Sequence, residues 1–167
     1  MTQILRRFTA FVEGYDTRLE IEEITPPLVR DLAEEVKSGG MLAPMDAPLG
    51  LQKLEASMKL NSRQKALMKQ AGITPGKFVS ITFRVVSISE IDGSQQNEVL
   101  VIKGRLNVDG NSWSANSAST TDYKIGSINY YQHRVDGALL YEIDIVNCIC
   151  IVDGVDQWAD LRAGLGL

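Results

Sequence analysis

The chain end decides the fold: SINYYQHRVDGALLYEIDIVNCICIVDGVDQWADLRAGLGL, Ser127 to Leu167. Two Asp-Gly pairs, Asp136-Gly137 and Asp153-Gly154, interrupt it. Asp-Gly fits the positive-φ positions of a tight hairpin turn. Between the pairs, Leu139, Tyr141, Ile143 and Ile145 alternate with Leu140, Glu142, Asp144 and Val146. A period of two means half-buried antiparallel strands.

The pattern extends outward. Further Asp-Gly pairs stand at Asp92-Gly93 and Asp109-Gly110. Val79, Ile81, Phe83 and Val85 alternate with Ser80, Thr82 and Arg84. Leu54, Ala56, Met58 and Leu60 alternate with Lys53, Glu55, Ser57 and Lys59. Strands are expected near 5–13, 18–25, 51–60, 77–90, 97–109, 120–135, 138–146 and 148–152. The fold class is mainly β. One flanking helix is expected over Arg63–Ala71, capped by Asn61 or Ser62 and closed by Gly72 and Pro75. It carries Arg63, Lys65 and Lys69 away from its apolar stripe. A second, short helix is expected over Val155–Ala163, ended by Gly164.

Composition narrows the function classes. The 167 residues suit one domain, 1–167, and 44% of them are hydrophobic, which excludes wholesale disorder. No run approaches the roughly 20 apolar residues of a membrane helix, so no membrane anchor is expected, and the first residues do not read as a secretory signal. The net charge of −4 hides a division. Residues 1–50 hold 5 basic and 9 acidic side chains, 51–85 hold 7 and 1, and 86–167 hold 5 and 11. A simple nucleic-acid binder is basic overall, which this chain is not. Unlike charge in different segments suits association between copies, although solvated faces also cluster charge by chance.

Two segments are less regular. In Leu28–Lys37, Leu28, Leu32 and Val36 recur with helical spacing after Thr25-Pro26-Pro27. Residues 37–50 then read as an extended loop holding Gly39, Gly40, Met41, Leu42, Ala43, Pro44 and Met45. A loop of that length in one domain usually has a task. Its apolar residues suit docking against another chain.

Catalytic chemistry is poorly represented. The single histidine, His133, lies in an alternating run and reads as a strand residue. No nucleophile elbow, phosphate loop or dinucleotide fingerprint occurs. Glu142 and Asp144 share a strand face, but no second cluster accompanies them. Cys148 and Cys150 are too few for a structural zinc site, and no cofactor is expected. On one strand their Cα atoms would stand about 6.5 Å apart with parallel Cβ vectors, which disfavours a mutual disulfide. They fill a β core, or they cross-link neighbouring subunits.

The chain end, with its YYxxxVDG, YEIDxVN and terminal LGL, resembles the major tail tube proteins of contractile-tailed phages and the tube proteins of R-type pyocins. Ser38–Met45 resembles that family's Gly-Gly-Met-x-Ala-Pro loop. Leu19–Pro27 and Pro48–Leu51 match its order. The resemblance implies a β-strand over residues 28–37, against local helix propensity. It implies a β-sandwich or partial barrel that closes with its copies into a multi-subunit β-barrel tube, and no enzyme. Homohexameric rings would stack inside a sheath, contacting sheath, baseplate and tail terminator proteins. The lumen would pass tape measure protein and then DNA. The site would be the virion tail, after assembly in the host cytoplasm. A tube of a phage-tail-like or type VI-like injection system, with protein cargo or none, is the alternative. With about 24 strands at ~4.8 Å and ~40° tilt, the barrel would be roughly 48 Å across its backbone, wide enough for duplex DNA. Glu142 and Asp144 are the expected lumen lining, with Ser80 and Thr82 also candidates. Residues 39–45 are the expected subunit or ring interface. Arg63, Lys65 and Lys69 form the expected outer or inter-subunit helix.

Overall fold

Alternation becomes pairing along most of the chain. The computed structural model describes residues 3–110, 113–115 and 119–167. Its strands are β1 (Gln3–Val12), β2 (Tyr15–Asp16), β3 (Ile21–Thr25), β4 (Asp31–Val36), β5 (Met45–Leu51) and β6 (Ala56–Leu60). After the short helix α1 (Lys65–Met68) come β7 (Val79–Ser89), β8 (Gln95–Asp109), β9 (Thr121–Val135) and β10 (Ala138–Asp144). The chain closes with β11 (Ile149–Val152), β12 (Val155–Asp156) and α2 (Ala159–Gly164).

A main antiparallel sheet runs in the order β12-β11-β10-β9-β8-β7-β1-β2, and β6 and β3 branch from β9. The expected turns form at Asp136-Gly137 and Asp153-Gly154, where all four residues have positive φ. Glu13-Gly14 makes a further turn of this kind. Asp109-Gly110 does not: β8 ends at Asp109 and β9 begins only at Thr121.

The core is built in rows. Val12, Ile81, Ile102, Tyr131, Ile143 and Cys150 stand side by side across the register and are all buried. The branch adds Ala56, Met58 and Leu60 to the same cluster, opposite Ile125, Tyr123 and Thr121. The branch depends on a break within β9. Ile125 and Ile128 both point inward, with Ser127 at φ 47 between them. The first half of β9 then pairs with β6 and the second half with β10. Gly104 of β8 lies against this break, where an added Cβ would stand 2.9 Å from the Gly126 carbonyl oxygen.

Three elements differ from expectation. The helix expected over Arg63–Ala71 is a single turn, and Arg63 precedes it. Leu67 is buried, and the Gly72 N–H donates to the Leu106 carbonyl, which draws the chain onto β8 before a second turn can form. The expected loop over 37–50 is shorter, because residues 45–51 are a strand. Val155–Asp156 is also strand, and the last helix starts after Trp158.

The Asp156 carboxylate secures this chain end. It accepts the Trp158 N–H at 3.0 Å and pairs with Arg162 at 2.7 Å. Those bonds, the backbone one first, hold its pKa below the ordinary value. A lowered folded pKa contributes stability above the unfolded value of about 4, and that contribution is lost as pH falls through the folded value. Asp156→Asn should speed amide exchange in α2 at neutral pH and remove the acid sensitivity of that exchange. Unchanged exchange across the pH range would contradict the clamp.

Candidate functional site

Three surfaces stand outside the core. The first is the β4–β5 hairpin, a separate sheet of two strands. Local propensity favours a helix here, yet residues 31–36 are strand because β5 offers a ladder from Asp31–Leu51 to Val36–Met45, with one bulge at Leu49. No residue between Arg30 and Gly50 belongs to the buried core, although Val29, Leu51 and Trp158 pack against it at the hairpin's base. Leu32, Val36, Leu42, Met45 and Leu49 are all exposed. Gly39 and Gly40 lie in the turn, and Met41 is tied there by its N–H to the Ser38 carbonyl. Leu42, Ala43 and Pro44 lead on into β5, whose first residue is Met45. Beside the base runs an open groove of about 610 Å³, lined among others by Pro26, Leu28, Lys53, Glu55 and Lys124.

The hairpin is also acidic. Glu35 stands opposite Asp46, and Glu34 opposite Ala47. Like charges directly across a ladder destabilise it. Among the described residues, Asp31, Glu34, Glu35 and Asp46 make no ion pair.

The second surface is the outer face of the main sheet. The register sets Phe11, Thr82, Val101, Gln132, Glu142 and Ile151 in one row. Asp144 lies one row away, with Ser80, Lys103, Tyr130 and Ile149. The residues proposed as lumen lining thus share a face, as their spacing requires. Arg84, Lys103 and Arg134 share it too, so the face is mixed in charge. Both carboxylates have internal duties. Glu142 accepts from the Tyr130 hydroxyl at 3.0 Å. Asp144 accepts the Val146 and Asn147 N–H groups and the Asn147 amide, which closes the turn into β11.

The third surface surrounds α1. Arg63, Lys65 and Lys69 are exposed. Arg63 lies 5.0 Å from the Trp113 ring centroid, a cation–π contact that periodicity could not reveal. Lys77 reaches back to the Lys69 carbonyl at 3.0 Å.

Both cysteines are free thiols. Cys150 is buried in the core row, and burial raises its pKa. Cys148 lies before the strand, in the turn, at φ 53. The two do not share one strand. His133 does sit in a strand, with Nε2 3.0 Å from a Glu98 carboxylate oxygen and its ring beside Tyr131 and Tyr141. Among the described residues, no group of three or more His, Cys, Asp or Glu side chains is arranged to hold a metal.

Comparison with known proteins gives one direction. The family model described as phage tail tube protein FII matches residues 2–166. The major tail tube protein of Serratia phage KSP20 is 29% identical over 168 residues, spanning 98% of this chain and 95% of that one. The tail tube protein of Escherichia phage P2 is 25% identical over 171 residues, spanning 100% and 99%. Among solved structures, the sheath/tube terminator of the PVC extracellular contractile injection system, in its extended state, has a TM-score of 0.55. It is 9% identical, with 77% of this chain and 93% of that chain covered. That likeness is one of fold.

Proposed function

The chain belongs to the phage tail tube protein FII family, and from that premise we propose that its copies close into hexameric rings that stack into a hollow conduit for DNA. The protein is a structural subunit of a phage tail tube and a component of the virion tail. It acts as one tube domain across 1–167 and carries out no catalysis. The rings lie within a sheath and meet baseplate and terminator proteins at their ends. Tape measure protein occupies the lumen before DNA does.

The observation that carries this reading is the β4–β5 hairpin. It adds no residue to the buried core, yet it exposes Leu32, Val36, Leu42, Met45 and Leu49 together. A monomer gains nothing from such a projection, and large exposed apolar patches belong to interfaces. Residues 39–45 form the tip that reaches a neighbouring subunit or ring. The turn around Arg63, Lys65 and Lys69 lies on the outer or inter-subunit side, where charge tunes docking. Cys150 remains a thiol in the assembled tube, because it is buried and its thiolate disfavoured.

Of the two sheet faces, the core face is filled, which leaves the face of Glu142 and Asp144 for the channel. DNA carries one charge per ~1.7 Å of axis, so the acidic groups keep it from adhering beside Arg84 and Lys103. Pairing Glu142→Lys with Asp144→Asn tests this, since asparagine preserves a turn acceptor. Tubes should form and DNA ejection should slow, more so at low salt. Wild-type ejection rates at every salt concentration would remove these residues from the lumen.

A further inference from the structure

One subunit exposes two strand edges of opposite charge. β1 pairs with β7 on one side, but β2 covers only Phe11 and Val12 on the other. Gln3–Thr9 therefore keeps an open edge, with Ile4 and Leu5 exposed and two adjacent arginines, Arg6 and Arg7. Arg6 pairs with Glu90, and Arg7 has no carboxylate partner among the described residues. β4 is the counterpart. Its outer edge is open over Asp31–Val36, without proline or glycine, and carries Glu34 and Glu35. The other edge of the hairpin is unsuited, because β5 contains Pro48, which has no N–H to donate. The far end of the main sheet is closed by β12 and by α2, whose Arg162 donates to the Cys148 carbonyl. β3 has an open side, but it spans only Ile21–Thr25 and the chain leaves it at Pro26-Pro27.

We infer that β4 of one subunit adds to the β1 edge of the next, antiparallel, with Arg7 opposite Glu34. This rests on the tube reading and names the mating strands within it. β1 bulges at Arg6, the residue that its ladder with β7 skips between Leu5 and Arg7. The regular pairing therefore starts beyond the bulge, where Ala47 and Glu34 of the hairpin meet Arg7 of the neighbour. From there Ala33 meets Phe8 and Leu32 meets Thr9. Strand addition satisfies the free backbone groups of both edges, which a lone subunit exposes to unwanted pairing. Because β1 and β4 are different surfaces, the contact is head-to-tail, the kind that closes into rings.

Directly opposed residues on antiparallel strands fall within disulfide reach. In a chain carrying Cys148→Ser and Cys150→Ala, with strand content verified by circular dichroism, Arg7→Cys plus Glu34→Cys should oxidise to a ladder of bands ending at the hexamer. Each single cysteine variant should give no ladder. Without added cysteines, Arg6→Glu with Arg7→Glu should abolish assembly, and adding Glu34→Arg with Glu35→Arg to the same chain should restore it. Tubes that assemble without any Arg7–Glu34 cross-link would overturn the pairing and leave the tube reading intact. So would a cross-link from Arg7→Cys to Glu23→Cys instead, which would make β3 the partner. A wild-type protein that stays monomeric at every concentration would overturn both.

Discussion

Deleting residues 38–49 leaves a folded subunit that no longer polymerises. The core tolerates the loss because no residue from Arg30 to Gly50 lies in the buried cluster. The main sheet pairs through β1, β7, β8, β9, β10 and β11, none of which pairs with the hairpin. What disappears is the exposed apolar tip and the strand that supports β4. Sedimentation should find the variant at monomer mass where the parent chain forms large assemblies. The far-ultraviolet signal should remain that of a β protein, and the thermal transition should remain cooperative. Tubes of ordinary length from this variant would refute the role of the hairpin.

The second large effect lies in the core. Phe83 is fully buried between Ala10 and Leu100 in the register. Phe83→Ala leaves a cavity that close-packed strands cannot collapse around, at a cost of roughly 3–5 kcal/mol. A domain has only about 5–15 kcal/mol in total, so much of the variant population should be unfolded at physiological temperature. Urea titration of dilute protein is the proper measurement, since assembly stabilises the subunit by mass action. A loss near the surface-substitution range of about 0.5 kcal/mol would contradict the row-built core.

These effects differ in how legible they were. The core rows could be read directly, because alternation of Val79, Ile81 and Phe83 and of Tyr141 and Ile143 is the pleat itself. The break at Ser127 could not, since Ser127–Asn129 stand against Gly104 alone, and the two extra residues leave the period the same on either side. The helix near Lys65 was overestimated because propensity knows nothing of the Gly72 bond to Leu106. β4 was legible only through the family resemblance, as its ladder with β5 overrides helical spacing. β5 itself had a signal that Pro48 and Gly50 obscured: Met45, Ala47, Leu49 and Leu51 alternate. Glu142 and Asp144 share a face as their spacing demanded, but their bonds to Tyr130 and Asn147 depend on neighbours far along the chain or around a turn. The opposed charges of β1 and β4 were visible only as a regional imbalance. Both lie within residues 1–50, so the regional charge conceals that a basic edge and an acidic edge are present side by side.

The central claim is that this chain builds a hollow tube, and electron cryomicroscopy of the concentrated, purified protein tests it most directly. Tubes of stacked six-subunit rings are expected, with an open lumen wide enough for duplex DNA and β4 continuous with the neighbour's β1. Monodisperse single subunits under all assembly conditions would contradict it.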